Sequence, residues 1–183
     1  PDEEALFDRQ LEKLTRFLDD RLRCRRQFAG AQLQPAFATL RDGQPALIDS
    51  LIGASLRSKN VLLEAPTGFG KTGIVLEHAL KQMQSGQFER CIYLTTKSTG
   101  QIETIRQLEH IVGGNLRYLQ MRNRHEHAIE SPQHNCQEDR HCAESLYLNW
   151  DPDVLAPENL FENNTLSLLR AKAIGEASGI CPY

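Results

Sequence analysis

Residues Glu64-Ala65-Pro66-Thr67-Gly68-Phe69-Gly70-Lys71-Thr72-Gly73 bring spaced glycines, a lysine and a threonine into one short stretch. Glycines let a backbone curl until several N–H groups face one anion. Lys71 directly after Gly70 supplies a point charge for outer phosphates, and the Thr72 hydroxyl is placed to hold Mg²⁺. That is the chemistry of a polyphosphate site, with Pro66, Thr67, Gly68, Phe69 and Gly70 as the cradle. Lys71 and Thr72 are its catalytic pair, and Gly73 opens the element that follows. A glycine-rich turn that binds nothing gains little from an unpaired lysine at a buried edge. A second set of reactive residues gathers later in the chain: His125, His127, His134, Cys136, His141, Cys142 and Cys181. Soft ligands clustered where apolar periodicity fades point to a region organised by a metal. The Cys136-x5-Cys142 spacing is not a zinc knuckle, and no Cys-x2-Cys pair occurs.

Both sets need elements to position them. Val61-Leu62-Leu63 reads as a buried strand leading into the glycine-rich turn, and Ile74, Val75, Leu76, Ala79, Leu80 and Met83 follow with helical spacing. Strand, turn, Gly-Lys-Thr and helix is the context a phosphate loop requires. Cys91-Ile92-Tyr93-Leu94 reads as a second buried strand with Cys91 a small core residue, followed by a helix presenting Ile102, Ile105, Leu108 and Ile111. Leu116-Arg117-Tyr118-Leu119 reads as a third. This alternation predicts an α/β fold, a parallel sheet with helices on both faces. Upstream, Phe7, Leu11, Leu14 and Leu18 mark one face of an amphipathic helix expected to pack on the rest of its domain. Arg21, Arg23, Arg25 and Arg26 follow as a basic cluster, read as a solvated helix end. Asp42-Gly43 signals a turn before a helix with Leu47, Ile48, Leu51, Ile52 and Leu56 inward.

Composition narrows the class. The chain has 183 residues, 40% of them hydrophobic, which suits one domain or a domain with an insertion. A net charge of −3 confines any nucleic-acid contact to local patches. No apolar run approaches membrane-spanning length and no leader-like stretch opens the chain, so a soluble intracellular protein without membrane contact is expected. Five cysteines spread over such a length do not form a secreted disulfide framework.

The stretch Glu64-Ala-Pro-Thr-Gly-Phe-Gly-Lys-Thr resembles motif I of superfamily 2 helicases, the XPD/DinG-like group above all. Its first position is Ala65 where phosphate loops usually carry Gly, and Phe69 replaces a smaller residue. Arg41-x-x-Gln44, about twenty residues earlier, is similar to the adenine-reading motif of these helicases. An amide can pair bidentately with adenine N6 and N7, which favours ATP over GTP. Tyr93-Leu-Thr95-Thr96-Lys97-Ser98-Thr-Gly-Gln101 resembles motif Ia, which touches single-stranded DNA. Hydroxyls and a lysine opening a helix suit phosphate-backbone contact. Cys181-Pro182-Tyr183 is similar to the close of the family's iron–sulfur domain.

The resemblance implies a P-loop NTPase (RecA-like) sheet flanked by helices, with an inserted, mainly helical metal-cluster domain. It divides the chain into an N-terminal helical extension over 1–36, motor domain over 37–120, and iron–sulfur-type insertion over 121–183. Cys136, Cys142 and Cys181 would ligate a [4Fe-4S] cluster. No cysteine stands at the first ligand position, so either a histidine, His127 first and His125 second, completes the set, or the cluster has only three protein ligands. A zinc site with three cysteines and one histidine fits the same residues. The implied activity is ATP- and Mg²⁺-dependent translocation along single-stranded DNA, 5′ to 3′, by a monomer that binds single-stranded or forked DNA and wedges its strands apart. Such a protein would be cytoplasmic and nucleoid-associated in a bacterium, nuclear in a eukaryote.

No Asp-Glu-x-His follows to orient the attacking water, so the chain reads as the N-terminal part of a longer helicase, able to bind nucleotide but poor at hydrolysis. Two other classes remain open. One is a phosphate-loop module of another enzyme with a zinc-stabilised insertion. The other is a non-catalytic DNA-binding or redox-sensing protein.

Overall fold

The computed structural model describes residues 3–58, 60–131, 134–135 and 156–179. The chain divides into two compact units, residues 25–115 and residues 1–24 with 116–183. Helix α1 (Glu3–Ala29) contributes to both.

In the unit 25–115, the glycine-rich stretch joins α2 (Gln44–Arg57) to α3 (Lys71–Gln84), and α4 (Ser98–Val112) follows. Helix α3 packs against both α2 and α4. The apolar spacing does what helical periodicity dictates: Ile74, Leu76 and Leu80 of α3 are buried with Leu51 of α2 and Ile111 and Val112 of α4. Phe28, at the end of α1, joins this core. Side chains and loops tie the helix ends. The Gln84 amide donates to the carbonyls of Phe28 and Ala31, at 3.3 and 2.6 Å. The Gln34 N–H donates to the Ile111 carbonyl at 2.8 Å, and the Ala36 N–H to the Glu77 carboxylate at 2.8 Å. Helix α4 ends at Gly113, whose φ of 55° is the left-handed turn that closes many helices.

The other unit holds β1 (Tyr118–Leu119), α5 (Arg124–His127), β2 (Glu130–Ser131), β3 (His134–Asn135), α6 (Pro157–Leu160), β4 (Thr165–Leu166) and α7 (Leu168–Ser178). Strand β1 runs parallel to β4 with Tyr118 opposite Thr165, and β2 pairs antiparallel with β3. Asn163 and Asn164, both at positive φ, make the turn into β4. The Ser167 hydroxyl caps α7 by accepting the Arg170 N–H. Arg170 in turn donates to the carbonyls of Leu160 and Asn159, satisfying the end of α6. Arg117 forks onto the Asp20 carboxylate and lies 4.4 Å from the Phe161 ring centre.

The predicted fold class is overturned. A RecA-like parallel sheet flanked by helices is not what the described residues form; they are mostly helical, and parallel pairing is confined to the two-residue ladder of β1 and β4. Val61-Leu62-Leu63 and Cys91-Ile92-Tyr93-Leu94 form no strand. Without a neighbouring strand, their peptide groups and side chains stay open: Leu62 is 98% exposed, Ile92 81% and Leu94 87%. Cys91 is exposed rather than a core residue. The third expected strand is present only as β1, and its partner β4 lies in the region predicted to be an insertion. Helix α1 is longer than its predicted face, continuing through the arginine cluster, and Phe7, Leu11, Leu14 and Leu18 remain exposed. In α2, Leu51 turns inward as expected, but Ile52 and Leu56 do not. None of the helices described is long and apolar enough to cross a membrane.

Burial alone would raise the Asp20 carboxyl, but hydrogen bonds and charge from Arg117 and Arg23 outweigh it and hold its pKa below the usual 3.8. A depressed carboxylate contributes stability above its unfolded value, and that contribution fades as pH falls through the folded one. Asp20→Asn should therefore lower the urea midpoint at pH 7, with the gap to wild type closing as pH falls towards 3. A gap independent of pH would show that the Asp20 charge contributes nothing.

Candidate phosphate site

The loop 65–70 leads into the N-terminus of α3. Gly68 and Gly70 adopt φ of 77° and 87°, the left-handed region that side chains resist. Gly70 is the N-cap of α3 and no side chain caps the helix there. The first amides of a helix have no acceptor within it, so those of α3 open towards the loop with the helix dipole behind them.

The carbonyls of Ala65, Pro66, Gly68 and Phe69 each meet a side-chain cation or amide. The Lys71 ammonium, on the first residue of α3, donates to the carbonyls of Ala65 at 2.5 Å and Pro66 at 2.8 Å. The Arg41 guanidinium donates to the Gly68 carbonyl at 3.2 Å, and the Gln44 amide to the Phe69 carbonyl at 2.7 Å. The Phe69 N–H closes a turn onto Pro66. These donors hold the glycine-bearing backbone in its turn. Lys71, curled back over the loop, has the reach to exchange carbonyl oxygens for phosphate oxygens, because both are acceptors for the same ammonium.

Phe37 fixes how closely this loop packs. A Cβ built on Gly70 would lie 2.7 Å from the Phe37 ring and 2.9 Å from Gln44 Nε2. One built on Gly73 would lie 2.7 Å from Phe37 and from Gln107 Oε1. Phe69, large for its position, lies against the turn before α2, where a Cβ on Gly43 would come within 3.4 Å of its ring. Sequence reasoning missed Phe37 and the packing of Phe69. The small residues at 43, 70 and 73 were the only signal, and they do not say which ring fills the space.

The structure brings Arg41, Gln44 and residues 66–73 together. It also sets the second predicted segment beside them. The Tyr93 hydroxyl lies 3.4 Å from Thr72 Oγ1, and Thr95 follows two residues later. The Thr95 hydroxyl folds back onto Lys97, donating to its carbonyl at 3.2 Å and accepting its N–H at 3.4 Å. Thr96, Lys97 and Ser98 are exposed at the start of α4, Gln101 is half-buried in its first turns, and no side chain caps the helix.

The metal set is not assembled by the described residues. Cys136, Cys142 and Cys181 lie outside them, as does His141. His125 is exposed, and His127 is buried at the end of α5. His127 Nε2 accepts the Arg122 N–H at 3.0 Å, so the neutral ring carries its proton on Nδ1. A histidine ligand instead turns a lone pair to the metal while its other nitrogen donates. In this orientation the accepting nitrogen faces the chain, and the ring does not fit an iron–sulfur or zinc ligand. Among the described residues, no group of three or more His, Cys, Asp or Glu side chains could hold an ion. Comparison with known protein families, curated proteins and solved structures finds no match for this chain.

Gly70→Ala meets both a positive φ and the Phe37 ring, whereas Gly68→Ala meets only the φ penalty, with nothing within 4 Å of its Cβ. Left-handed backbone costs a non-glycine residue roughly 1–2 kcal/mol, and a clash with a packed ring adds about 1–3 kcal/mol. Thermal melts should show Gly70→Ala clearly less stable than Gly68→Ala. Equal losses would mean that Phe37 does not pack against the loop.

Proposed function

We propose that residues 65–73 bind the triphosphate of Mg²⁺-ATP and that this chain serves an ATP-dependent DNA helicase. The observation that carries the nucleotide half is the Lys71 ammonium folded over a loop whose glycines sit at positive φ, at the uncapped start of α3. Polyphosphate is the ligand for which a lysine, unsatisfied helix amides and a threonine hydroxyl are jointly suited. Thr72 takes the Mg²⁺ position. The DNA half is supported by the exposed Thr96, Lys97 and Ser98 at the open end of α4. The Thr72–Tyr93 contact puts that segment next to the nucleotide loop, a short path by which one ligand could bias the other.

A second reading is a nucleotide-binding module of another class, favoured by the mostly helical surroundings of the loop. It shares the phosphate loop and lacks the DNA contact.

Equilibrium titration with a fluorescent ATP analogue, with and without Mg²⁺, tests the shared part. Wild-type protein should bind, and Lys71→Ala should weaken binding by about tenfold or more, the value of a charge-assisted contact to phosphate. Undiminished binding by Lys71→Ala would refute the phosphate site. Single-stranded DNA separates the two readings: salt-sensitive binding, reduced in Lys97→Ala, belongs to the helicase reading. ATP binding without any DNA binding belongs to the other.

A further inference from the structure

The Gln44 side chain is 1% exposed, the most buried polar group of the phosphate site. Its Oε1 accepts the Arg41 N–H at 2.8 Å, and its Nε2 donates to the Phe69 carbonyl at 2.7 Å. Reading adenine would need the same two atoms, since bidentate pairing uses one acceptor and one donor on a single amide edge. Both already bond backbone, and the second lone pair of Oε1 and the second N–H of Nε2 are shut in on a residue that is 1% exposed. Turning the amide out to meet a base would leave the Arg41 N–H and the Phe69 carbonyl without their partners in a buried place, a penalty beyond the loss of the bonds themselves. The amide is also walled in by the loop it supports, because a Cβ on Gly70 would fall 2.9 Å from Nε2. The Arg41 side chain, the other candidate for the base, is tied to the Gly68 carbonyl.

We propose that Gln44 is a positioning residue of the phosphate loop and not a reader of the base, so that the site takes nucleoside triphosphates by their triphosphate, whichever base they carry. This rests on the phosphate-loop reading above and specifies its ligand class. Gln44 fixes the carbonyl of Phe69 and, through it, the backbone turn at Gly70 that presents the amides of α3. Arg41 fixes the carbonyl one residue earlier. The ligand is recognised where the donors converge, at the phosphates, and the amide that could have selected adenine is spent on shaping the loop.

The test is a set of binding titrations on the full chain with Mg²⁺-ATP, Mg²⁺-GTP and Mg²⁺-tripolyphosphate, for wild type and Gln44→Leu. Wild type should bind ATP and GTP within about threefold of each other, since a base-reading bidentate contact would separate them by about tenfold or more. Gln44→Leu should weaken all three ligands together, by about tenfold for the lost hydrogen bonds, leaving the ATP-to-GTP ratio unchanged. Hydrogen exchange in α4 should stay at the wild-type rate, as a loss confined to the loop requires and a general loss of packing does not. A wild-type preference for ATP of tenfold or more overturns the proposal without any variant. Loss of binding for ATP and GTP alike in Gln44→Leu, with tripolyphosphate unaffected, also overturns it. If none of the three ligands binds wild type, the phosphate-loop reading itself has failed. That outcome is distinct from an ATP-selective site, in which the loop reading survives and only the role of Gln44 falls.

Discussion

A buried primary amide must place a donor and an acceptor at once, and Gln44 does so by bonding two backbone groups on different segments. One bond reaches back to Arg41 at the turn before α2, the other across to Phe69 before α3. The turn at Gly43, the loop at Gly70 and the start of α3 are thereby held in one frame. A glycine at positive φ is permissive, not directive: it allows a left-handed turn but supplies no force to hold one. The force comes from the side chains that grip the neighbouring carbonyls. Glycines and a lysine mark this loop in the sequence, yet its shape depends as much on residues two dozen positions upstream.

The helices around the loop were legible because their apolar residues recur at a period that only a helix can use. Ile74, Leu76 and Leu80 become core, as does Ile111, the last of the four residues expected inward on α4, whereas Ile102, the first of them, is exposed. Strands were not legible to the same degree. A run of three or four apolar residues looks the same whether it is paired, buried or open, because a strand is defined by its neighbour and not by its own sequence. Val61–Leu63 and 91–94 carried the composition of buried strands and form none among the described residues. The amphipathic face of α1 shows the same limit for helices. Periodicity revealed the face over Phe7–Leu18, but not whether anything covers it.

The site residues divide in a similar way. The tight turn of the loop was readable from its own spacing, because glycines at 68 and 70 are what its positive φ angles require. The role of Gln44 was not, because an amide near a helix start is equally able to serve a base, a turn or a loop, and only the backbone brought within its reach decides. His127 is the parallel case. Its residue type suits a metal, yet the hydrogen bond from the Arg122 amide turns its accepting nitrogen towards the chain. In both instances a polar side chain compatible with a ligand is occupied by a backbone group that the sequence does not identify.

The open segments beside the loop carry a consequence for colloidal behaviour. Leu62, Ile92 and Leu94 present β-branched or leucine side chains to water in segments that form no strand. Extended, apolar and unpaired chain is a template for edge-to-edge association, because another chain can satisfy its amides and cover its side chains in one step. Arg90 immediately before the second run is a charge of the kind that flanks such stretches in soluble proteins, and Glu64 does the same after the first. Charges placed this way oppose the stacking of apolar runs from two chains, and salt weakens that opposition by screening them.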